Sequence, residues 1–403
     1  GLAVAQGHQQ SGRAVLARVL GLQARQAGEF FAQRRQGPEQ GLGEVVLGLA
    51  PAGVGRQGVQ PVAQHALRMQ RPSPEGGEAL AQFAQLHGAG IVAHGTRASA
   101  PGRQWPATTK ETPMLEMVID ARAADLGHGL TVRRVLPYAK RRMVGPFIFV
   151  DHAGPVTLAA EDTRAADVRP HPHIGLSTVS YLLSGQIKHR DSLGVVQDIV
   201  PGDVNWMTAG RGISHSERFT HPDSFAGGGL ELMQLWVALP ERDEETEPAF
   251  THYPASELPV RERDGVWMRL IAGEAYGLKS PVRTHSPLFY LHTEWQAGAS
   301  LALPGGHREQ AVYVARGEIE YAGEVYRPGQ LLVFGDDADA LVTARVPSTL
   351  MVFGGEPLGE RHVWWNFVSS RKERIEQAKA DWAAGRIPLP PGDDQEWIPL
   401  PKA

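Results

Sequence analysis

The stretch RPHPHIGLSTVSYLLSG, residues 169–185, places two histidines one residue apart at the head of an apolar alternating run. Residues i and i+2 of a strand point to one face, so His171 and His173 can converge on a single point. Pro170 and Pro172 favour extended backbone around the first histidine. Their missing N–H groups do no harm at a strand start or a sheet edge. An isolated H-x-H is weak evidence for a ligand pair, so the chain must supply partners. It does so after the next Pro-Gly turn, where PGDVNWMTAGRGISHSERF, residues 201–219, brings His215 and Glu217, again two residues apart.

If the two strands lie side by side in one barrel, His171, His173, His215 and Glu217 form one cluster. Neutral imidazoles suit first-row metals, and a carboxylate adds a hard donor and a negative charge. Four ligands around an octahedral ion leave two positions for water, oxygen or substrate. In the hairpin of the same barrel, His189, Arg190 and Asp191 are candidates to line the pocket or support a ligand histidine, against the plainer reading of a turn with a local ion pair. Arg211, between Gly210 and Gly212, is expected to brace the loop that delivers His215. One of Trp206 and Met207 is expected to form an apolar wall, with Met207 the candidate for the pocket. Asp203 and His152 read as structural.

The rest of residues 114–403 reads as all-β. Short runs such as VRRVLPY, FIFVDHAGP, MQLWVALP and AVYVARGEIEYAGEVYRPGQLLVF are cut by Pro, Gly and Asp at close spacing. Residues 178–207 and 311–334 echo each other. Each has an alternating strand, a glycine (Gly185 or Gly317), a hairpin, a Pro-Gly turn (Pro201-Gly202 or Pro328-Gly329) and another strand. Two similar units imply two tandem barrels, with a border near the charged stretch PERDEETEPAF, residues 240–250. The domains are therefore expected at 114–245, with the metal, and 246–403, without it. One helix is expected at about 369–387, capped by serines and stopped by Pro388, with Trp364, Trp365 and Phe367 packing it onto the C-terminal barrel. In the second unit Leu303 and Gly305 fall where the H-x-H would be, and Val342 and Ala344 where the H-x-E would be. His307 and Glu309 lack partners for a second site.

Residues 1–113 differ in kind. They hold 15 Gln and 10 Arg but no Asp, Asn or Tyr, although folded segments use Asp and Asn in turns and caps. Two readings compete: a disordered extension, or translated upstream sequence ahead of a natural start at Met114. The second is favoured, and the segment is assigned no function.

HPHIGLSTVSYLLSG, HRDSLG, PGDVNWMTAGRGISHSE and WNFVSSRKERIEQAKADW resemble the pirin family of bicupin proteins over essentially all of residues 114–403. The resemblance implies two cupin (jelly-roll-like) β-barrels with a C-terminal helix, and one metal, typically iron, held by His171, His173, His215 and Glu217. Mn, Ni, Cu and Zn are alternatives. Many members read H-P-H-R-G-F-E-T here, so Ile174 and Ser177 replace an Arg and a Glu.

Three functions suit such a site. The first is a non-haem dioxygenase of quercetin 2,3-dioxygenase type, acting on flavonol- or enediol-like molecules with O2. Glu217 would take the hydroxyl proton. The second is an iron-dependent redox sensor that binds a protein partner, and the third is a cupin with a structural or non-redox metal. The absence of cysteine excludes disulfides and thiolate centres and fits a cytoplasmic protein. A net charge of −4 gives no basic field for nucleic acid. No apolar run reaches the roughly 18 residues of a spanning helix.

Overall fold

The computed structural model describes residues 115–125, 131–158, 163–219, 224–225, 229–335 and 340–402. The reading of residues 1–113 lies outside the described residues. From Leu115 onward the chain forms two barrels, each a large sheet facing a four-stranded one. In the first, the strands Val168–His173, Ile213–Arg218, Ile187–Asp191 and Val196–Ile199 form the small sheet, in that order. Leu176–Ser184 and Leu230–Ala238 lie at the centre of the large one.

Both central strands are buried on both faces, although each carries polar residues among its apolar ones. Alternation divides their side chains. Val179, Tyr181, Met233 and Leu235 face the second barrel, where they join Ile271, Tyr290, Tyr313, Leu331 and Phe353 in a shared apolar core. The intervening Ser180, Gln234 and Trp236 are left for the inside of the first barrel. The two barrels are therefore joined by a buried sheet-on-sheet interface.

The internal echo is a structural repeat. Gly185 and Gly317 turn the chain at φ +85° and +82°, and Gly202 and Gly329 at +87° and +90°. In both copies the N–H of the second glycine donates 2.9 Å to the carbonyl of the residue three positions before the first, Leu182 or Val314. Leu303, Val342 and Ala344 lie in the apolar cluster that fills the second barrel. Glu309 turns away to the first barrel, where it accepts from the Gly145 amide at 2.6 Å and pairs with Arg141 at 2.9 Å.

Three expectations need correction. The border near residue 245 is not clean, because the barrels exchange strands. Leu115–Asp120 pairs with Gln330–Phe334 in the second barrel, and Ala249–Tyr253 pairs with Val204–Thr208 in the first. The closing helix, Lys372–Ala383, packs onto the first barrel, not the second. Ile375, Ala378, Trp382 and Phe367 bury Ile174, the residue after H-x-H, and the Val368 N–H donates to the Ile174 carbonyl at 3.2 Å. An apolar side chain at position 174 thus gives the helix its seat. Finally, Ser369 and Ser370 do not cap the helix; their hydroxyls donate to the buried Glu244 carboxylate at 2.9 and 3.1 Å. The helix ends at Ala383, ahead of Gly385 at φ +66°, before any proline.

The close approach requires a glycine. Gly175 has φ +67°, and a Cβ there would lie 2.0 Å from the Val368 carbonyl oxygen. Gly175→Ala is expected to destabilise the fold by about 2 kcal/mol or more, read as a fall in urea midpoint. An unchanged midpoint would mean the 367–369 strand does not press on this turn.

Candidate metal centre

Strand pairing brings the two histidine motifs together. In the small sheet of the first barrel, His215 lies opposite His171 and Ile213 opposite His173, with a register slip between His215 and Glu217. The ring centroids of His171, His173 and His215 are 4.4–5.1 Å apart. Each ring offers a nitrogen within 4.8 Å of the others, the one such cluster among the described residues. Glu217 lines the same cavity, of about 2010 Å³, but is not part of that tight group. Its carboxylate lies 3.3 Å from the Ser180 hydroxyl, which also donates to Gln234 Oε1 at 2.8 Å.

The electrostatics favour neutral imidazoles. Burial lowers the His171 pKa to about 4 and pushes His173 and His215 well below the ordinary histidine value, with mutual repulsion adding to it. Burial raises the Glu217 pKa, opposed by His189 and the Ser180 hydrogen bond. Both nitrogens of His173 and Nε2 of His215 are buried without a hydrogen-bond partner. Orphaned buried polar atoms are rare and costly in a folded chain, and a cation among these rings would take up the acceptor nitrogen of each. The donor set fits a divalent first-row metal.

Hydrogen bonds behind the rings set which nitrogen is free. His171 Nδ1–H donates to the Arg169 carbonyl at 2.9 Å, leaving Nε2 for the cluster. Asp191, fully buried, accepts the Leu193 and Val195 amides on one oxygen and His189 Nε2–H on the other, at 3.0 Å. His189 Nδ1 is then an acceptor, and His215 Nδ1–H lies 3.4 Å from it. The chain Asp191–His189–His215 leaves the lone pair of His215 Nε2 turned to the cluster. Asp191→Asn keeps an oxygen for the amides but cannot accept from His189 on its nitrogen. It is expected to weaken metal affinity about tenfold in chelator competition; unchanged affinity would show that this chain does not orient His215.

Other expected site residues lie elsewhere. Met207 belongs to an apolar cluster with Leu176 and Ile213 and does not line the cavity. Trp206 faces the shared core of the two barrels. The Arg211 side chain is exposed and pairs with Glu247; only its backbone braces the loop, through Thr246 and Arg374. Ile174 and Ser177 face away from the cavity as well, Ser177 bonding Thr208 at 3.0 Å.

The wall is made by residues the sequence reading passed over. The Trp236 ring stands edge-on to His173 at 5.2 Å and stacks on Phe149 at 4.1 Å, with Arg134 4.5 Å over the far face of Phe149. Arg134 is fixed by a bidentate pair with Asp151, at 2.8 and 2.7 Å. The available signal was the polar Gln234 inside MQLWVALP, since Trp236 shares its face.

The comparisons agree with this geometry. The Pirin family model matches residues 129–237, and that of the Pirin C-terminal cupin domain matches residues 290–388. A pirin-like protein of Caulobacter vibrioides is 52% identical over 290 residues, 72% of this chain and 100% of that protein. Pirin of Homo sapiens is 33% identical over 266 residues, 64% of this chain and 87% of that protein. A solved structure of quercetin 2,3-dioxygenase from Acinetobacter baumannii superposes with a TM-score of 0.66 at 32% identity, covering 71% of this chain and 95% of that one. With the two-barrel fold and the histidine cluster in place, these matches establish that the chain belongs to the pirin family.

Proposed function

We propose that this chain is a metal-dependent dioxygenase of quercetin 2,3-dioxygenase type, acting on flavonol- or enediol-like molecules. The observation that carries the reading is the buried histidine cluster with unpartnered nitrogens at the base of an open cavity. His171, His173 and His215 would hold the ion, with Glu217 as its oxygen donor. Fe(II), when bound, supplies Lewis acidity toward an enediolate and the redox chemistry of O2.

The chain's own groups supply the rest. Trp236 and Phe149 form a stacked aromatic wall that begins at His173, suited to a flat, conjugated ring. The Arg134 guanidinium, paired with Asp151, closes the outer end of that wall. Glu217 is the buried carboxylate beside the cluster and is the group assigned to accept the substrate hydroxyl proton. Support also comes from the Acinetobacter baumannii quercetin 2,3-dioxygenase superposed above.

The test is oxygen uptake with quercetin, using protein purified without oxygen and reconstituted with Fe(II). Uptake matched by quercetin loss is the expected result. Bound iron with no uptake would remove the quercetinase assignment and turn attention to a sensor that acts through a protein partner.

A further inference from the structure

Alternation on the Ile213–Arg218 strand separates two sets of side chains. His215 and Glu217 line the cavity, and Arg218 at the end of the strand reaches its wall together with Asp393. Ser214 and Ser216 point the other way, and these two and Arg218 are all bound to the chain that follows the closing helix. Ser214 Oγ donates to the Pro388 carbonyl at 2.6 Å, and Ser216 Oγ to Asp393 Oδ2 at 2.6 Å. Arg218 grips Asp393 with two nitrogens, at 2.9 and 2.6 Å, and reaches Asp167 at 3.3 Å and Glu396 at 3.1 Å. Both serines are fully buried.

The same segment holds the other ligand strand. Val168–His173 is the edge strand of its sheet, and its prolines at 170 and 172 offer no N–H to a neighbour. The Ile398 N–H donates to the Pro170 carbonyl at 2.8 Å, while the Ile398 carbonyl accepts from Trp382 Nε1 at 3.0 Å. One short segment, anchored on the helix, therefore grips both strands that carry the histidines. The ladder between those strands slips between His215 and Glu217, the position of Ser216. Pairing between the two strands does not by itself fix Glu217 against His171 there.

We propose that Asp393, acting through Ser216 and Arg218, is a positioning residue for the metal centre. The segment from Pro388 to Ile398 clamps the two ligand strands in the register that brings their histidines together. The proposal rests on the metal reading given above. Metal retention should thus depend on a carboxylate that is not among the cluster's ligands. The charge-assisted, bidentate geometry suits this task, because it fixes direction as well as distance.

The test loads the full chain with Fe(II) without oxygen and follows iron release to a chromogenic chelator. Asp393→Asn is expected to release iron about tenfold faster than the unchanged chain, with Asp393→Glu restoring most of the retention. Ser216→Ala removes one hydroxyl and should give a smaller acceleration, which keeps the test open if Asp393→Asn folds poorly. Leu350→Ala, buried in the second barrel, is the control for general loosening. Release from Asp393→Asn at the original rate overturns the positioning role while leaving metal binding intact. An equal acceleration in Leu350→Ala, at an equal fall in melting temperature, also overturns it. An unchanged chain that takes up no iron overturns the metal reading itself.

Discussion

Replacing His171 and His215 together by alanine is expected to take bound metal from about one ion per chain to background, and oxygen uptake with it. One imidazole and the Glu217 carboxylate then remain, and two donors hold a divalent ion against water far more weakly than four. The fold should survive. Both side chains border a cavity, so their loss opens little new void in the packed core. His215 Nε2 is buried and unpartnered, so its removal also removes an unsatisfied polar atom. The checks are elemental analysis and the melting temperature of the metal-free proteins. Metal retained at one per chain would place the ion elsewhere and end the assignment of these residues. Metal lost along with the fold would show the histidines to be structural.

The second large effect belongs to the core between the barrels. Phe353→Ala is expected to cost about 3–5 kcal/mol, read from urea unfolding. Phe353 is fully buried, with its ring 4.9 Å from that of Phe147 and 6.4 Å from that of Tyr290, each carried on a strand that cannot easily collapse into the void. The loss should fall on both barrels at once. Tryptophan fluorescence and far-UV circular dichroism should report one coincident transition, before and after the substitution. Two separated transitions would show that the barrels hold together independently.

Much of this was legible because it is local. The i, i+2 rule alone paired His171 with His173, and the turn glycines at 185 and 317 marked the repeat. Asp191 and His189 were within reach for the same reason, being two residues apart in one hairpin. The missed features depend on residues far apart in the chain. Nothing in LEMVID announces that it will pair with QLLVF, since both are ordinary β-formers with many eligible partners. The seat of the helix depended on Ile174, which reads as a core residue wherever it lies. Trp236 was passed over because its strand is buried on both faces, and Gln234, the lone polar residue of MQLWVALP, was the one mark of the face that met the cavity.

The exchange of strands bears on how the chain can be divided. A fragment cut between the barrels near residue 245 would strip Leu115–Asp120 from the second sheet and bare the apolar edge Gln330–Phe334. Such an edge recruits other chains, so the C-terminal half made alone is a candidate for self-association rather than a soluble module. The N-terminal half would in turn lack Ala249–Tyr253, the Phe367 strand and the helix that covers Ile174. Each piece carries the cover for the other's open edge. The two are thus built as complementing fragments, and co-expression of the halves, not either alone, is the arrangement in which a split form of this protein would regain its shape.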